Sequence, residues 1–267
     1  MQSVSHRAGR RSRRPVPRGI RRLLGPLTLL GAWQAASASG LLDRQTLAPP
    51  VVVARTGWRL IASGDLQGHL LVSLHRVVAG LAFGVTVGVV LALVAGLARL
   101  GEDVVDSTVQ MLRTVPVLAL VPLMILWFGI GEQPKIVLIA IGTAFPVYLN
   151  TFAAIRSVDA GLVEAAGTLG LGRLGLIRHV ILPGALPGFL IGLRYSLGTA
   201  WLVLVVSEQI NASQGLGFLM NEAREYFQTD VLVVVLVIYG LLGLISDFLV
   251  RLLERTCLSW RRSFSGT

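Results

Sequence analysis

Long apolar runs constrain this chain more than any other feature of its sequence. Six can be marked, at residues 23–42, 77–98, 115–130, 136–156, 185–206 and 231–250. Their lengths suit the roughly 30 Å hydrocarbon core of a bilayer. Backbone amides in lipid must bond internally, and these runs are too long for barrel strands, so helices are predicted. The expected fold is all-α: a polytopic membrane helix bundle with about six transmembrane helices.

Composition agrees with lipid as the solvent. Of the 267 residues, 54% are hydrophobic and 14% are charged, whereas soluble domains carry about 25% charged residues. So little charge cannot cover a soluble globule of this length. The single cysteine, Cys257, excludes an internal disulfide and a cysteine-based metal cluster, and leaves the compartment open.

The distribution of basic residues predicts the orientation. Eight arginines precede the first apolar run, in a basic tail at residues 1–22. With both termini in the cytoplasm, 17 basic residues fall on cytoplasmic stretches and five on outer ones. The positive-inside rule therefore predicts N-in and C-in, with residues 157–183 cytoplasmic and 43–69 and 207–230 outside. This topology explains the basic tail better than nucleic-acid binding does.

The first apolar run has two interpretations. Arginines, an apolar stretch and then Ala36-Ser37-Ala38 are typical of a cleavable signal peptide. The 20 residues of the run are long for a signal core, which favours an uncleaved first transmembrane helix at 23–42.

Small residues recur every fourth position in the second run, at Gly80, Gly84 and Gly88. Such a stripe lets another helix approach closely in lipid. The partner helix could belong to the same subunit or to a second copy.

Polar residues in the apolar runs are candidates for a translocation path. Asn150 and Thr151 follow Pro146, and proline kinks often border cavities, although a simple bend is the alternative. Arg194, with Ser196 nearby, lies nine residues into its run, about 13 Å deep at 1.5 Å per residue. A buried arginine is a functional candidate by default, and a structural pair with an acidic group is the alternative. Glu208 is expected to be exposed at the outer end of this span.

The sequence lacks the residues that the common enzyme motifs require. The only lysine is Lys135, preceded by Pro134, so the chain has no phosphate-binding loop of the Gly-Lys-Ser/Thr type. Zinc-protease and serine-hydrolase motifs are absent from the sequence, and the four histidines are scattered. We expect a transporter subunit that is not an enzyme, with no catalytic residue and no metal site. Since no acidic residue is securely mid-span, an ion-coupled carrier is the weaker hypothesis.

The stretch between the fourth and fifth runs carries the most information. Asp159 suits a helix N-cap and Gly170 a helix stop, which predicts one short helix. A second helix is predicted from Arg173 to Val180, limited by Pro183. Leucines along this cytoplasmic loop indicate a protrusion that meets a soluble partner.

The spacing within this loop resembles the cytoplasmic signature of ABC importer permeases. That signature is Glu-Ala-Ala, three residues, Gly, nine residues, then Ile or Val, any residue, Leu and Pro. The residues that fill it are Glu164, Ala165, Ala166, Gly170, Val180, Leu182 and Pro183. Residues 111–131, 182–188 and 228–231 resemble permeases for sulfonates, taurine and nitrate, most closely those for aliphatic sulfonates. The resemblance covers about residues 60–255, taken as the permease domain, and leaves 256–267 as a cytoplasmic tail.

The resemblance implies a machine of several subunits in the bacterial cytoplasmic (inner) membrane. The signature would form a coupling helix that docks on a separate ATPase. Two permease subunits would pair with two cytoplasmic ATPases and one external solute-binding protein, with no nucleic acid involved. This chain would bind no cofactor, and the partner would use the ATP. An aliphatic sulfonate is the implied cargo, with taurine, nitrate or a pyrimidine precursor as alternatives.

Overall fold

The computed structural model describes residues 18–43 and 46–258, in which helices are joined by short loops and no strand occurs. The predicted tails, 1–22 and 256–267, fall largely outside these residues. In chain order the elements are α1 (Arg18–Ala38), α2 (Pro50–Ser63), α3 (Asp65–Leu97), α4 (Arg99–Gly101), a π-helical turn (Glu102–Asp106), α5 (Ser107–Leu112), a 3-10 turn (Val117–Leu120), α6 (Val121–Phe128), α7 (Gln133–Arg156), α8 (Ala160–Thr168), α9 (Arg173–Leu176), a second π-helical turn (Ile177–Ile181), α10 (Leu182–Asn211), α11 (Leu216–Glu225) and α12 (Thr229–Cys257). The predicted all-α fold is confirmed.

Four helical stretches within the described residues are long and apolar enough to cross a membrane. They are Asp65–Leu97, Gln133–Arg156, Arg173–Ile210 and Thr229–Cys257. The first predicted span lies on α1, which is helical but is not among the four, because its arginines and Gln34 dilute the apolar run. The second span is longer than predicted, since α3 begins at Asp65 rather than near residue 77.

The third predicted span, residues 115–130, is the second half of a broken helix pair. Arg99–Leu112 and Val117–Phe128 meet at an angle of 80°. Pro116 stands directly before the 3-10 turn and Pro122 lies in the first turn of α6, and prolines have no N–H to continue a helix across the bend. Counted as one, this pair is a fifth span.

Helix α7 lies at the centre of the bundle, with α3 on one side and α10 on the other. An ideal Cβ at Gly80 would lie 2.6 Å from Ile139, and one at Gly96 would lie 2.7 Å from Ile155, so α3 and α7 run parallel. The glycine stripe therefore packs inside this chain, against α7. Because α3 and α7 are parallel, residues 98–132 must return along the bundle, which makes the broken pair a crossing in its own right.

The two ends of the bundle differ. The α11 end contains α2, α11, the starts of α3 and α7 and the end of α10, whereas the α8 end contains α8 and α9. At the α11 end, Thr56 on α2 donates a hydrogen bond of 2.6 Å to Asp230 at the start of α12. Farther along, Trp201 Nε1 on α10 donates to Ser246 Oγ on α12 at 3.0 Å. The predicted orientation assigns the α8 end to the cytoplasm.

Candidate functional site

Helix α8 is closed at both ends by local hydrogen bonds. At its start, the Asp159 side chain accepts a bond of 2.8 Å from the Gly161 N–H, which satisfies a backbone donor that the helix leaves unpaired. At its end, the Gly170 N–H bonds to the Gly167 carbonyl at 3.0 Å and the Leu171 N–H to the Ala166 carbonyl at 3.1 Å. This Schellman pattern needs a left-handed residue, and Gly170 supplies it with φ of 84°. Both predicted boundaries are confirmed.

The prediction that Pro183 limits the second short helix is wrong. Helix α9 continues through the π-helical turn Ile177–Ile181 into α10, as one stretch from Arg173 to Ile210. A proline ring clashes with the carbonyl four residues before it in a regular α-helix. The wider π turn shifts that carbonyl, so Pro183 fits in the first turn of α10.

Helix α8 and its neighbours expose an apolar surface. Leu162, Leu169 and Leu174 have 60%, 81% and 79% of their surface exposed. Glu164 and Ala165 are also exposed, whereas Ala166 is buried. Within the described residues, Glu164 makes no hydrogen bond or ion pair. The loop thus presents leucines beside an unpaired carboxylate, an arrangement suited to a protein partner rather than to water.

The signature ends where residues 157–183, which we call the α8 loop, meet the bundle. Leu182 is exposed and Pro183 is half-buried. An ideal Cβ at the neighbouring Gly184 would lie 3.1 Å from Val158, just before α8. The start of α8 and the start of α10 are therefore in close contact.

A network that the sequence analysis missed ties the first π-helical turn to α7. Tyr148 OH donates to Asp106 at 2.9 Å, and Arg156 pairs with Glu102 at 3.1 Å. The turn therefore lies against the same end of α7 from which α8 continues.

The four candidates for the translocation path do not form one cluster. Ser196 Oγ donates to the Thr143 carbonyl at 2.7 Å, across the α7–α10 contact. The Asn150 amide donates back to the Pro146 carbonyl of its own helix at 2.8 Å. Thr151 is buried, and its hydroxyl has no partner within the described residues.

Arg194 faces α12 instead. Its Nη2 donates to Glu254 at 2.7 Å, and its Nε lies 3.4 Å from Asp247. The cavity of about 150 Å³ beside it also contains Trp201 and Ser246, and none of the other three candidates. The acidic pairing is the structural alternative left open by the sequence, so transport through Arg194 stays a prediction.

Glu208 is where the sequence analysis was wrong. It was expected to be exposed, yet its side chain is fully buried at the α11 end. The carboxylate accepts bonds from Ser73 Oγ (2.8 and 2.9 Å), from Arg76 Nη1 (2.5 Å) and from the Gly217 N–H (2.8 Å). These donors replace water around the charge, which is the condition for burying a carboxylate. An arginine interrupting the apolar face of α3 was the sequence signal for this pairing.

Arg76 joins Glu208 to a second carboxylate. Its Nε and Nη2 donate to the two oxygens of Glu132 at 2.5 and 2.6 Å, and its Nη1 also donates to the Gln214 carbonyl at 2.7 Å. Lys135 Nζ lies 3.5 Å from Glu132 and donates to the Gly131 carbonyl at 2.7 Å. The hydrogen bonds from Arg76 hold the pKa of Glu132 below its ordinary value.

Two cations and two anions therefore form a charge-balanced group that we call the α11-end quartet: Arg76, Glu132, Lys135 and Glu208. Gly215 approaches it so closely that an ideal Cβ would lie 2.6 Å from Arg76 Nη1. With φ of 118° as well, this position requires glycine. The quartet thus connects α3 to the loops before α7 and before α11.

Residues 84–258 match the family model for the binding-protein-dependent transport system inner membrane component. This chain belongs to that family. It is therefore a membrane permease of a transport system rather than an enzyme. The family match includes the whole α8 loop.

Relatives of this permease cover nearly its full length. It is 48% identical to an aliphatic sulfonates transport permease protein of Escherichia coli (strain K12), over 90% of this chain and 91% of that protein. It is 44% identical to a protein of the same description from Bacillus subtilis (strain 168), over 91% and 88%. The taurine transport system permease protein of Escherichia coli (strain K12) is 34% identical, over 92% of each.

Solved structures support the fold of this permease. An amino acid ABC transporter chain matches with a TM-score of 0.60 at 23% identity, over 70% of this permease and 92% of that chain. A chain of the MetNI methionine ABC transporter matches with a TM-score of 0.50 at 22% identity, over 75% and 95%. At such identities the likeness concerns the fold alone.

Proposed function

We propose that this chain is the permease subunit of an ATP-driven importer for aliphatic sulfonates. The observation that supports this cargo is the difference in sequence identity between the relatives. Two permeases named for aliphatic sulfonates are 48% and 44% identical, whereas those named for taurine and for riboflavin are each 34% identical. Taurine, nitrate and pyrimidine precursors are the alternative cargoes.

The α8 loop supports coupling to a separate ATPase. Glu164, unpaired within the described residues, lies among exposed leucines on a short helix fixed by Asp159 and Gly170. Such a helix can enter a groove on a soluble partner by its apolar face, while the carboxylate pairs with a basic residue there. Two copies of this chain would each receive one ATPase, and a solute-binding protein would deliver cargo to the α11 end. The chain binds no cofactor in this scheme, and its partners bind and hydrolyse the ATP.

Contacts at the α8 end offer a route for the motion into the bundle. Helix α8 follows directly from α7, and Val158 contacts the position of Gly184 at the start of α10. Helices α7 and α10 are in turn packed along most of their lengths through Gly188, Gly192 and Ser196. A push on α8 would therefore displace two adjacent spans together.

Copurification and ATPase stimulation test the proposal. An affinity-tagged chain should copurify with an ABC ATPase, and the complex should hydrolyse ATP faster when an ethanesulfonate-loaded binding protein is added. Glu164→Lys should reduce ATPase attachment while the chain still inserts. Glu222→Lys, an equal charge change at an exposed residue of α11, is the matched control for attachment. A complex stimulated only by taurine- or nitrate-loaded binding protein would refute the sulfonate assignment, and a chain that copurifies with no ATPase would refute the coupling.

A further inference from the structure

A cavity of about 430 Å³ lies at the α11 end, beside the quartet. Its lining includes Arg76, Glu132, Ser213 and Gln214. The Glu132 side chain is 54% exposed, whereas those of Arg76 and Lys135 are only 2% and 4% exposed. Glu132 is therefore the solvent-facing member that covers two buried cations.

The two edges of the Arg76 guanidinium are held differently. Nη1 is committed to Glu208 and to the Gln214 carbonyl. Glu208 is itself saturated by Ser73 and the Gly217 N–H, and it is fully buried. This half of the quartet alone ties α3 to α10 and to the start of α11.

Within the described part of the chain, the other edge, formed by Nε and Nη2, donates only to Glu132. That carboxylate belongs to a short loop, residues 129–132, between α6 and α7. Gly129 has φ of 72°, and an added Cβ at Gly129 or Gly131 would meet no described atom within 4 Å. Open space and the rotational freedom of glycine therefore place few constraints on the backbone before Glu132, the N-cap residue of α7. If the Glu132 side chain moved away, the Glu208 half of the quartet could stay in place.

Without Glu132, Arg76 and Lys135 would face the same space, and the buried Glu208 would be the one anion left in the quartet. The exposed edge of Arg76 is a planar fork that matches two oxygens of an anionic group. The Lys135 ammonium, 3.5 Å from a Glu132 oxygen, would face a third oxygen. A sulfonate has one negative charge and three oxygens, so it would restore the charge balance and satisfy both cations.

We propose that Arg76 and Lys135 form an anion-binding site at the α11 end, and that Glu132 occupies it as an internal carboxylate which the anionic group of the cargo displaces. This inference rests on the proposed function, since it requires an anionic cargo. In the absence of cargo, Glu132 closes the site and keeps small anions from entering.

Direct anion binding tests the site. The complete permease–ATPase complex is placed in lipid nanodiscs without binding protein, and radiolabelled ethanesulfonate is measured by equilibrium dialysis. Glu132→Gln keeps the side-chain shape but removes the competing charge, so the Kd should fall at least about tenfold. Adding Lys135→Gln to that variant should abolish most of the gain. Glu222→Gln, which removes an exposed carboxylate of α11, is the matched control and should leave the Kd unchanged.

Glu132→Asp provides a second variant in case Glu132→Gln impairs assembly. It keeps the charge but shortens the side chain by one methylene, so it should give a smaller gain in affinity. An intact complex whose Kd for every tested anion stays within twofold of wild type in both variants would overturn the site, even if wild-type sulfonate uptake stands. Tighter binding of nitrate or sulfate but not of ethanesulfonate would keep the anion site and overturn the sulfonate assignment.

Discussion

Replacement of Gly88 by alanine tests the packing of α3 against α7. An ideal Cβ at this position would lie 2.7 Å from the Ala144 carbonyl oxygen and 2.9 Å from Val147 Cβ. Carbon atoms in ordinary contact are about 3.5–4.0 Å apart. A backbone carbonyl within a helix cannot rotate aside, so α3 would have to move from α7 by on the order of 1 Å.

The expected loss follows from two opposing effects. Overpacking of this kind costs about 1–3 kcal/mol, whereas alanine in place of glycine stabilises a helix by about 0.5–1 kcal/mol. The net destabilisation should therefore be up to about 2.5 kcal/mol. For a chain of this size that corresponds to a decrease in Tm of up to about 10 °C.

Thermal unfolding in detergent, followed by intrinsic tryptophan fluorescence, measures this effect. Gly68 is the matched control because it lies on the same helix, α3, and an added Cβ there would meet no atom of the described residues within 4 Å. Gly68→Ala should leave the Tm unchanged or raise it slightly. If Gly88→Ala unfolds at the same temperature as Gly68→Ala, α3 does not approach α7 as described.

The remaining predictions concern topology, the α8 loop, Arg194 and pH. In a Cys257-free variant, a single cysteine at Gly172 should react with an impermeant reagent only from the cytoplasmic side; labelling of intact cells from outside would contradict the orientation. Gly170→Val forces a β-branched residue to φ of 84°, at a cost of about 1–2 kcal/mol, and should reduce ATPase copurification while insertion is unchanged. Arg194→Lys should retain part of the uptake and Arg194→Gln very little, with both complexes intact; complexes that dissociate in both variants would show that Arg194 only braces α12. Because Arg76 lowers the pKa of Glu132, their pairing stabilises the fold above the ordinary carboxyl pKa and is lost as pH falls through the lowered one. Thermal melts from pH 7 to 3 should therefore show an acid-dependent loss that is smaller in Glu132→Gln, and identical pH profiles would refute the pairing.

Local features of this chain were predictable from sequence. The limits of α8 follow from hydrogen bonds within a few residues of Asp159 and Gly170. The apolar runs likewise predicted three of the four ends of α7 and α12 to within a few residues. Each of these features depends on neighbours along the chain, which the sequence displays directly.

Features that depend on distant residues were missed. Arg76 meets Glu132 and Glu208, which are 56 and 132 positions away, and no local pattern shows that pairing. Glu208 was expected to be exposed to solvent because it is charged and lies near the end of a span. The sequence does not show that the backbone N–H of Gly217 donates to its buried carboxylate. The helix that passes Pro183 depends on a π turn, whose hydrogen-bond register has no simple sequence signature.

ATP-dependent uptake by proteoliposomes would show whether this chain is the permease of an importer for aliphatic sulfonates. Vesicles would contain this permease with its copurified ATPase facing the lumen, where ATP is enclosed. Radiolabelled ethanesulfonate and binding protein would be added outside. We expect accumulation that requires both ATP and binding protein and that excess unlabelled ethanesulfonate suppresses. Accumulation driven by a proton or sodium gradient without ATP would contradict it.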